Sequence, residues 1–157
     1  MTDQKTLIIY TDGSSRGNPG RGGYGVVMLW GNNRKELSQG FKLTTNNRME
    51  LMGVIVALES LKTNDIPLTI YTDSKYIVDT VQKRWLDTWI KTDFKGGKKN
   101  KDLWTRYYKL SRSIKITFVW VKGHADNPHN NRCDELATSA ADGGNLIVDI
   151  GYEGLNS

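Results

Sequence analysis

Four residues of the chain occur twice. Ile9-Tyr10-Thr11-Asp12 returns as Ile70-Tyr71-Thr72-Asp73, and each copy closes a short apolar run with a carboxylate followed by a small residue, Gly13 or Ser74. Each run reads as a strand bounded by turn signals. If the two strands are parallel neighbours, both carboxylates emerge at the same edge of a sheet. Open α/β sheets bind their ligands beyond that edge. A lone Asp there would simply cap a turn or helix; a matched pair favours a functional site.

The remaining chain supplies the elements such a sheet needs. Tyr24 to Trp30 and Lys35 to Leu43 read as strands joined by the turn sequence Gly31-Asn32-Asn33. The capping cluster Thr44-Thr45-Asn46-Asn47 precedes a helical pattern running to Leu61. Leu68 to Thr72 and Ile114 to Val121 are further strands; Ser74 to Arg84, Asp102 to Arg112 and Asn130 to Asp142 are further helices. On the last of these, Cys133, Leu136, Ala137 and Ala140 share one face. The order predicts an α/β fold, a mixed sheet flanked by helices, because helical crossovers force parallel pairing and the hairpin places one strand antiparallel. At 157 residues this is one domain, since domains run to roughly 100–200 residues.

Glycine punctuates the first part of the chain. Gly13 to Gly23 holds five glycines and Pro19 and is expected to be a loop. Gly20, Gly22 and Gly25 match G-x-G-x-x-G, but a strand-like run, Val26 to Trp30, follows where a dinucleotide fingerprint needs a helix. No Gly-Lys-Ser/Thr is present, which excludes a P-loop. The stretch is either a turn that lets backbone approach a bulky ligand or a tight β connection.

The net charge is +5, and it is concentrated. Between Gln82 and Lys101, Lys83, Arg84, Lys91, Lys95, Lys98, Lys99 and Lys101 face only Asp87 and Asp93, an excess equal to that of the whole chain. Trp85, Trp89 and Phe94 are interleaved with them. Basic residues with aromatics suit a phosphate backbone and its sugars; the competing reading is a solvated basic face with its rings in the core. No apolar run approaches the ~20 residues that span a bilayer. The single cysteine, Cys133, excludes an internal disulfide. A reducing cytoplasm is the expected setting, and a monomer the expected state.

Two more carboxylates join the pair. Glu50 precedes Val54, Ala57 and Leu61 at helical spacing, on the first turn of an inward-facing stripe. A carboxylate aimed inward needs a partner cation. Asp134 opens the last helix in line with Ala137 and Ala141. Carboxylates without a Cys or His cluster favour a hard cation, Mg²⁺ or Mn²⁺, and two such ions can clamp the attacking and leaving oxygens of a phosphodiester. His124, after Val121-Lys122-Gly123, is either a proton shuttle or a surface loop histidine. His129, after Pro128, reads as part of a helix start.

Taken in order, Tyr10-Thr11-Asp12-Gly13-Ser14 with Gly17-Asn18-Pro19-Gly20, Thr45-Asn46-Asn47-Arg48-Met49-Glu50-Leu51, Thr72-Asp73-Ser74, Trp120-Val121-Lys122-Gly123-His124 and Asn131-Arg132-Cys133-Asp134-Glu135-Leu136-Ala137 resemble the motifs of bacterial type 1 ribonucleases H. The resemblance runs from about residue 6 to 142. It implies a five-stranded mixed sheet with helices on both faces, and endonucleolytic cleavage of the RNA strand of an RNA–DNA hybrid to 5′-phosphate and 3′-hydroxyl ends. It also implies that Asp12, Glu50, Asp73 and Asp134 hold two Mg²⁺ ions, with Mn²⁺ as a substitute, and that His124 assists proton transfer or product departure. Asn18, Asn46 and Asn47 match positions that read the minor groove and the 2′-hydroxyls, and Thr45 and Asn100 match positions that hold a phosphate of the DNA strand. The basic segment, residues 82–101 with Lys83, Arg84, Lys95, Lys98 and Lys99, matches a substrate-binding protrusion that sets Trp85 near a DNA sugar. Lys75 stands where Gln is more usual and turns a neutral groove contact into a charged one; Leu43 stands where a basic residue is common. The implied domain is residues 1–144, and the tail, 145–157, is expected to be irregular.

Two other readings compete. A transposase- or integrase-like strand-transfer core uses a similar carboxylate cluster but typically carries extra DNA-binding domains, for which this chain has no room. A noncatalytic hybrid-binding module has no need of negative charge facing phosphates.

Overall fold

The computed structural model describes residues 6–122 and 127–154. Its elements are β1 (Leu7–Arg16), β2 (Gly20–Trp30), β3 (Asn33–Thr44), α1 (Asn46–Glu59), β4 (Leu68–Thr72), α2 (Lys75–Gln82), α3 (Trp85–Lys91), α4 (Lys101–Ser111), β5 (Ile116–Trp120), α5 (Pro128–Asp142), β6 (Leu146–Ile147) and α6 (Ile150–Glu153). The strands form one mixed sheet in the order β5-β4-β1-β2-β3-β6. The repeated tetrads fall side by side: β1 and β4 are parallel, with Ile9 opposite Ile70 and Tyr10 opposite Tyr71. The two tyrosine rings stack at 4.8 Å.

Alternation along the strands divides the core between two faces. Ile9, Val26, Met28 and Ile70 pack with Leu51, Val54, Ile55 and Leu58 of α1, and with Leu103, Trp104 and Tyr107 of α4. On the other face Tyr10, Val27 and Cys133 of α5 form a smaller cluster, bordered by Ile8, Leu29, Tyr71 and Leu136. Local signals explain the helix starts. The Thr45 hydroxyl accepts the Arg48 N–H at the head of α1, Ser74 does the same for Ile77 in α2, and Asn127 accepts from His129 and Asn130 in α5 with Pro128 in the first turn.

Three expectations are corrected. The stretch Gly13 to Gly23 is not a loop: β1 continues to Arg16 and β2 begins at Gly20, leaving a three-residue connection. Gly17, at φ 96°, serves the turn, whereas the strand glycines serve close packing. A side chain at Gly13 would collide with the backbone of α1 at Met49 and Glu50, and one at Gly23 or Gly25 with the backbone of α5. The sheet has six strands rather than five, because Leu146 and Ile147 pair parallel with Gly40 and Phe41 of β3. The tail after Gly144 is accordingly not irregular throughout; it carries β6 and then α6, which Asp149 caps by accepting from Tyr152. No helix among the described residues is long and apolar enough to cross a membrane.

Candidate active site

The carboxyl ends of β1 and β4 do converge. Asp12 lies on β1, Asp73 follows the last residue of β4, and Glu50 reaches them from α1. Ligand oxygens of all three lie within 4.8 Å of one another. A cleft of about 240 Å³ is lined by Asp12, Gly13, Asn46, Glu50, Asp73, Asn130, Asn131 and Asp134. Asp134 is exposed on its rim and sits in the second turn of α5 rather than opening it, since the helix starts earlier, at Pro128. Glu50 is likewise one turn further in than its spacing suggested, and no acidic residue occupies the first turn of α1. Attraction to the helix dipole therefore does not explain its presence.

The electrostatics of the cleft are unfavourable without a cation. Asp12 is 7 % exposed and Glu50 4 %. Burial, then the charge of Asp73, pushes the Asp12 carboxyl up to about 7, despite hydrogen bonds from Glu50 and the Gly13 N–H; Asp134 adds to the rise. Burial, then the charges of Asp12 and Asp73, holds Glu50 well above the usual carboxylate range. Glu50 Oε2 is buried and has no hydrogen-bond partner among the described residues. A buried carboxylate oxygen without a donor, facing two other carboxylates, is a state that a bound divalent ion would relieve. The donor set is all oxygen, which suits Mg²⁺ or Mn²⁺.

The other predicted residues surround this cleft to different degrees. Asn18, in the β1–β2 connection, accepts the Asn46 backbone N–H at 3.0 Å, tying that turn to the head of α1, where Thr45 and Asn47 also sit. Lys75 opens α2 with its ammonium 5.0 Å from the Trp120 ring centre. Asn100 precedes α4 in a left-handed conformation, φ 66°. The basic segment divides. Phe94 is buried and Trp89 packs against it and Trp104, so these rings belong to the core. Trp85 is 42 % exposed, with the Lys83 ammonium 5.4 Å from its ring. Lys95 and Lys98 line a shallow cleft of about 410 Å³ with Trp85 and Trp89. Arg84 pairs with Asp87, and Lys99 is exposed. His124 lies outside the described residues. His129 belongs to the helix start: its ring lies against Tyr10 at 5.1 Å, and it does not line the carboxylate cleft.

Sequence reading passed over two residues of the cleft. Asn130, 4 % exposed with an Oδ1 that has no partner among the described residues, and Asn131 stand one helical turn before Asp134. Their i−4 and i−3 spacing to that carboxylate was the available signal.

A parallel pair of strands delivering acidic side chains to one sheet edge, with a third from a covering helix, defines an α/β enzyme whose centre is built for oxygen-bound cations. The particular family follows from comparison. The RNase H family model matches residues 4–142. A ribonuclease H of Syntrophus aciditrophicus is 50% identical over 153 residues, covering 95% of this chain and 88% of that protein. Among solved structures, a type 1 ribonuclease H with the type 2 active-site motif aligns over 100% of this chain and 83% of its own, with TM-score 0.80 and 30% identity. A second, solved in complex with an RNA/DNA hybrid, aligns over 87% of this chain and 97% of its own, with TM-score 0.69 and 30% identity. The chain belongs to the ribonuclease H family.

Proposed function

We infer that this protein is an endonuclease that hydrolyses the RNA strand of RNA–DNA hybrids and leaves 5′-phosphate and 3′-hydroxyl ends. The observation that carries the reading is the convergence of Asp12, Glu50 and Asp73, with a Glu50 oxygen that finds no donor among the described residues. Two Mg²⁺ ions, or Mn²⁺ in their place, would be held by these three residues and Asp134; ions so held supply an activated water and a clamp on the attacking and leaving oxygens.

The chain's own residues do the rest. Glu50 and Asp12 provide a desolvated, strongly negative seat whose charge is costly until a cation neutralises it. Asn18, Asn46 and Asn47, beside the cleft, would read the minor groove and donate to or accept from 2′-hydroxyls, which distinguishes RNA from DNA. Thr45 and Asn100 would hold a phosphate of the DNA strand, and Lys75 would add charge in the groove. Lys83, Arg84, Lys95, Lys98 and Lys99 would draw in the hybrid, with Trp85 against a sugar of the DNA strand. His124 would carry a proton to or from the reacting phosphate. The nuclease domain is taken as residues 1–144 with 82–101 as its protrusion, extended by the segment that follows Gly144, since β6 joins the sheet and Asp149 is buried against Arg48. The site assembles from one chain, and the lone cysteine is buried and free, which supports a monomer working in the cytoplasm.

The test uses hybrid labelled on its RNA strand, with and without Mg²⁺, beside single-stranded RNA, duplex RNA and duplex DNA. Metal-dependent cutting of hybrid RNA alone is the expected result. Binding without cutting in both Mg²⁺ and Mn²⁺ would instead support a noncatalytic module, and cutting of duplex DNA would remove the roles given to Asn18, Asn46 and Asn47.

A further inference from the structure

Arg48 is a cation in the first turn of α1, where the helix dipole disfavours one, and it is 1 % exposed. Its guanidinium makes five hydrogen bonds. Two go to Asp149, at 2.8 and 2.9 Å, two to Asp102, at 2.9 and 2.7 Å, and one to the side-chain oxygen of Asn100, at 3.2 Å.

Asp149 belongs to the C-terminal segment, beyond residue 142 where the family match ends. It is 2 % exposed and also accepts the Thr44 hydroxyl at 2.6 Å. The segment packs directly onto the charges. A side chain at Gly151 would collide with the Asp102 carboxylate and the Arg48 guanidinium.

Asn100 is where this cluster meets the substrate side. Its amide nitrogen donates to the Tyr76 hydroxyl at 3.1 Å, and that hydroxyl accepts the Trp104 indole N–H at 2.7 Å. A hydroxyl can serve either orientation of an amide, because it both donates and accepts. A guanidinium cannot, because it only donates. Arg48 therefore decides which way the Asn100 amide points: oxygen inward, nitrogen away, with a second N–H left for a ligand.

We propose that the C-terminal segment positions Asn100 for the DNA-strand phosphate, with Asp149 holding Arg48 and Arg48 fixing the orientation of the Asn100 amide. This rests on the reading of Asn100 as a phosphate contact. Asp149 and Arg48 touch no substrate; they are positioning residues. Without Asp149 the guanidinium keeps Asp102, a partner whose side chain is 38 % exposed, and is no longer held from both sides. Asn100 then spends part of its time presenting a carbonyl oxygen to a phosphate.

The experiment is a double-mutant cycle on hybrid cleavage, KM and kcat measured separately, with Asp149→Asn and Asn100→Gly, the glycine retaining the left-handed backbone. Asn100→Gly is expected to raise KM about tenfold, the loss of one hydrogen bond to a charged group, with kcat held. Asp149→Asn is expected to raise KM about threefold with kcat held, and to add nothing in the Asn100→Gly background. Gly151→Ala, which displaces the segment without removing a charge, is expected to act as Asp149→Asn does, and carries the cycle if Asp149→Asn fails to fold. An unchanged KM in these variants, or the same rise with and without Asn100, would overturn the positioning role while leaving the phosphate contact standing. An unchanged KM in Asn100→Gly alone would overturn the contact itself and the positioning role with it.

Discussion

Asp12 and Glu50 are poor neighbours in the absence of a cation. Both are desolvated, the charge of Asp73 raises the proton affinity of both, and that of Asp12 raises Glu50's further. The sign for stability follows from proton linkage. Asp12 titrates near 7 in the folded chain against 3.8 for the free side chain, so between these values the folded state holds a proton that the unfolded state has lost. Stability of the metal-free protein should therefore fall as pH rises from about 4 to about 7, and the loss should be complete above that window. Glu50 contributes with the same sign. The expected outcome is that Asp12→Asn melts several degrees higher than the parent in chelator at pH 8, with little difference at pH 4. Cleavage by the variant should be undetectable while its circular dichroism is unchanged. Mg²⁺ should raise the melting temperature of the parent far more than that of the variant. Turnover by Asp12→Asn near the parental rate would remove Asp12 from the metal seat.

At the scale of elements, the basic segment is a short helix, α3, followed by Gly96 and Gly97 at φ 89° and 77° with open space around both. Leu86 and Phe94 anchor it in the core and leave its lysines outside. Replacing Lys95, Lys98 and Lys99 by Gln should raise KM for hybrid and leave kcat unchanged. It should also lower the slope of log KM against log salt by up to about 0.9 for each phosphate that is no longer neutralised. A slope equal to the parent's would detach these lysines from the substrate. The charge excess was legible in the sequence because composition alone reveals it. Which of Trp85, Trp89 and Phe94 face outward was not, because four-residue spacing places two rings on one helix face without saying what covers that face. The glycines of β1 and β2 misled for a related reason. A glycine required by a turn and a glycine required by a helix packed against a strand look identical until the tertiary partner is known. The Asp12/Asp73 pair was readable because strand repetition, unlike packing, is written in the sequence itself. Arg48 stands inside a recognised motif, yet its partners Asp102 and Asp149 lie too far along the chain for any local pattern to connect them.

Across the whole molecule, the site depends on how closely α5 seats on the sheet. Gly23 and Gly25 of β2 and Gly40 of β3 lie beneath Cys133, Leu136, Ala137 and Ala140, and a side chain at any of the three would strike the α5 backbone. The Cys133 thiol is buried and meets the Tyr10 carbonyl at 3.2 Å. Asp134 is the next residue, so the depth of that seat sets the reach from Asp134 to the carboxylates on β1 and β4. Gly25→Ala forces the added methyl into the Cys133 carbonyl and the Leu136 side chain, and α5 must lift. Overpacking of this kind costs about 1–3 kcal/mol, which for a chain of this size is a fall in melting temperature of about 2–12 °C. Because the lift withdraws Asp134 from the cleft, kcat should fall by more than KM rises. Gly144→Ala is the control, since nothing lies within 4 Å of a side chain there and its melting temperature should match the parent's. A Gly25→Ala protein that melts with the Gly144→Ala control would mean that α5 has slack against the sheet. The position of Asp134 would then be set by something other than these glycines.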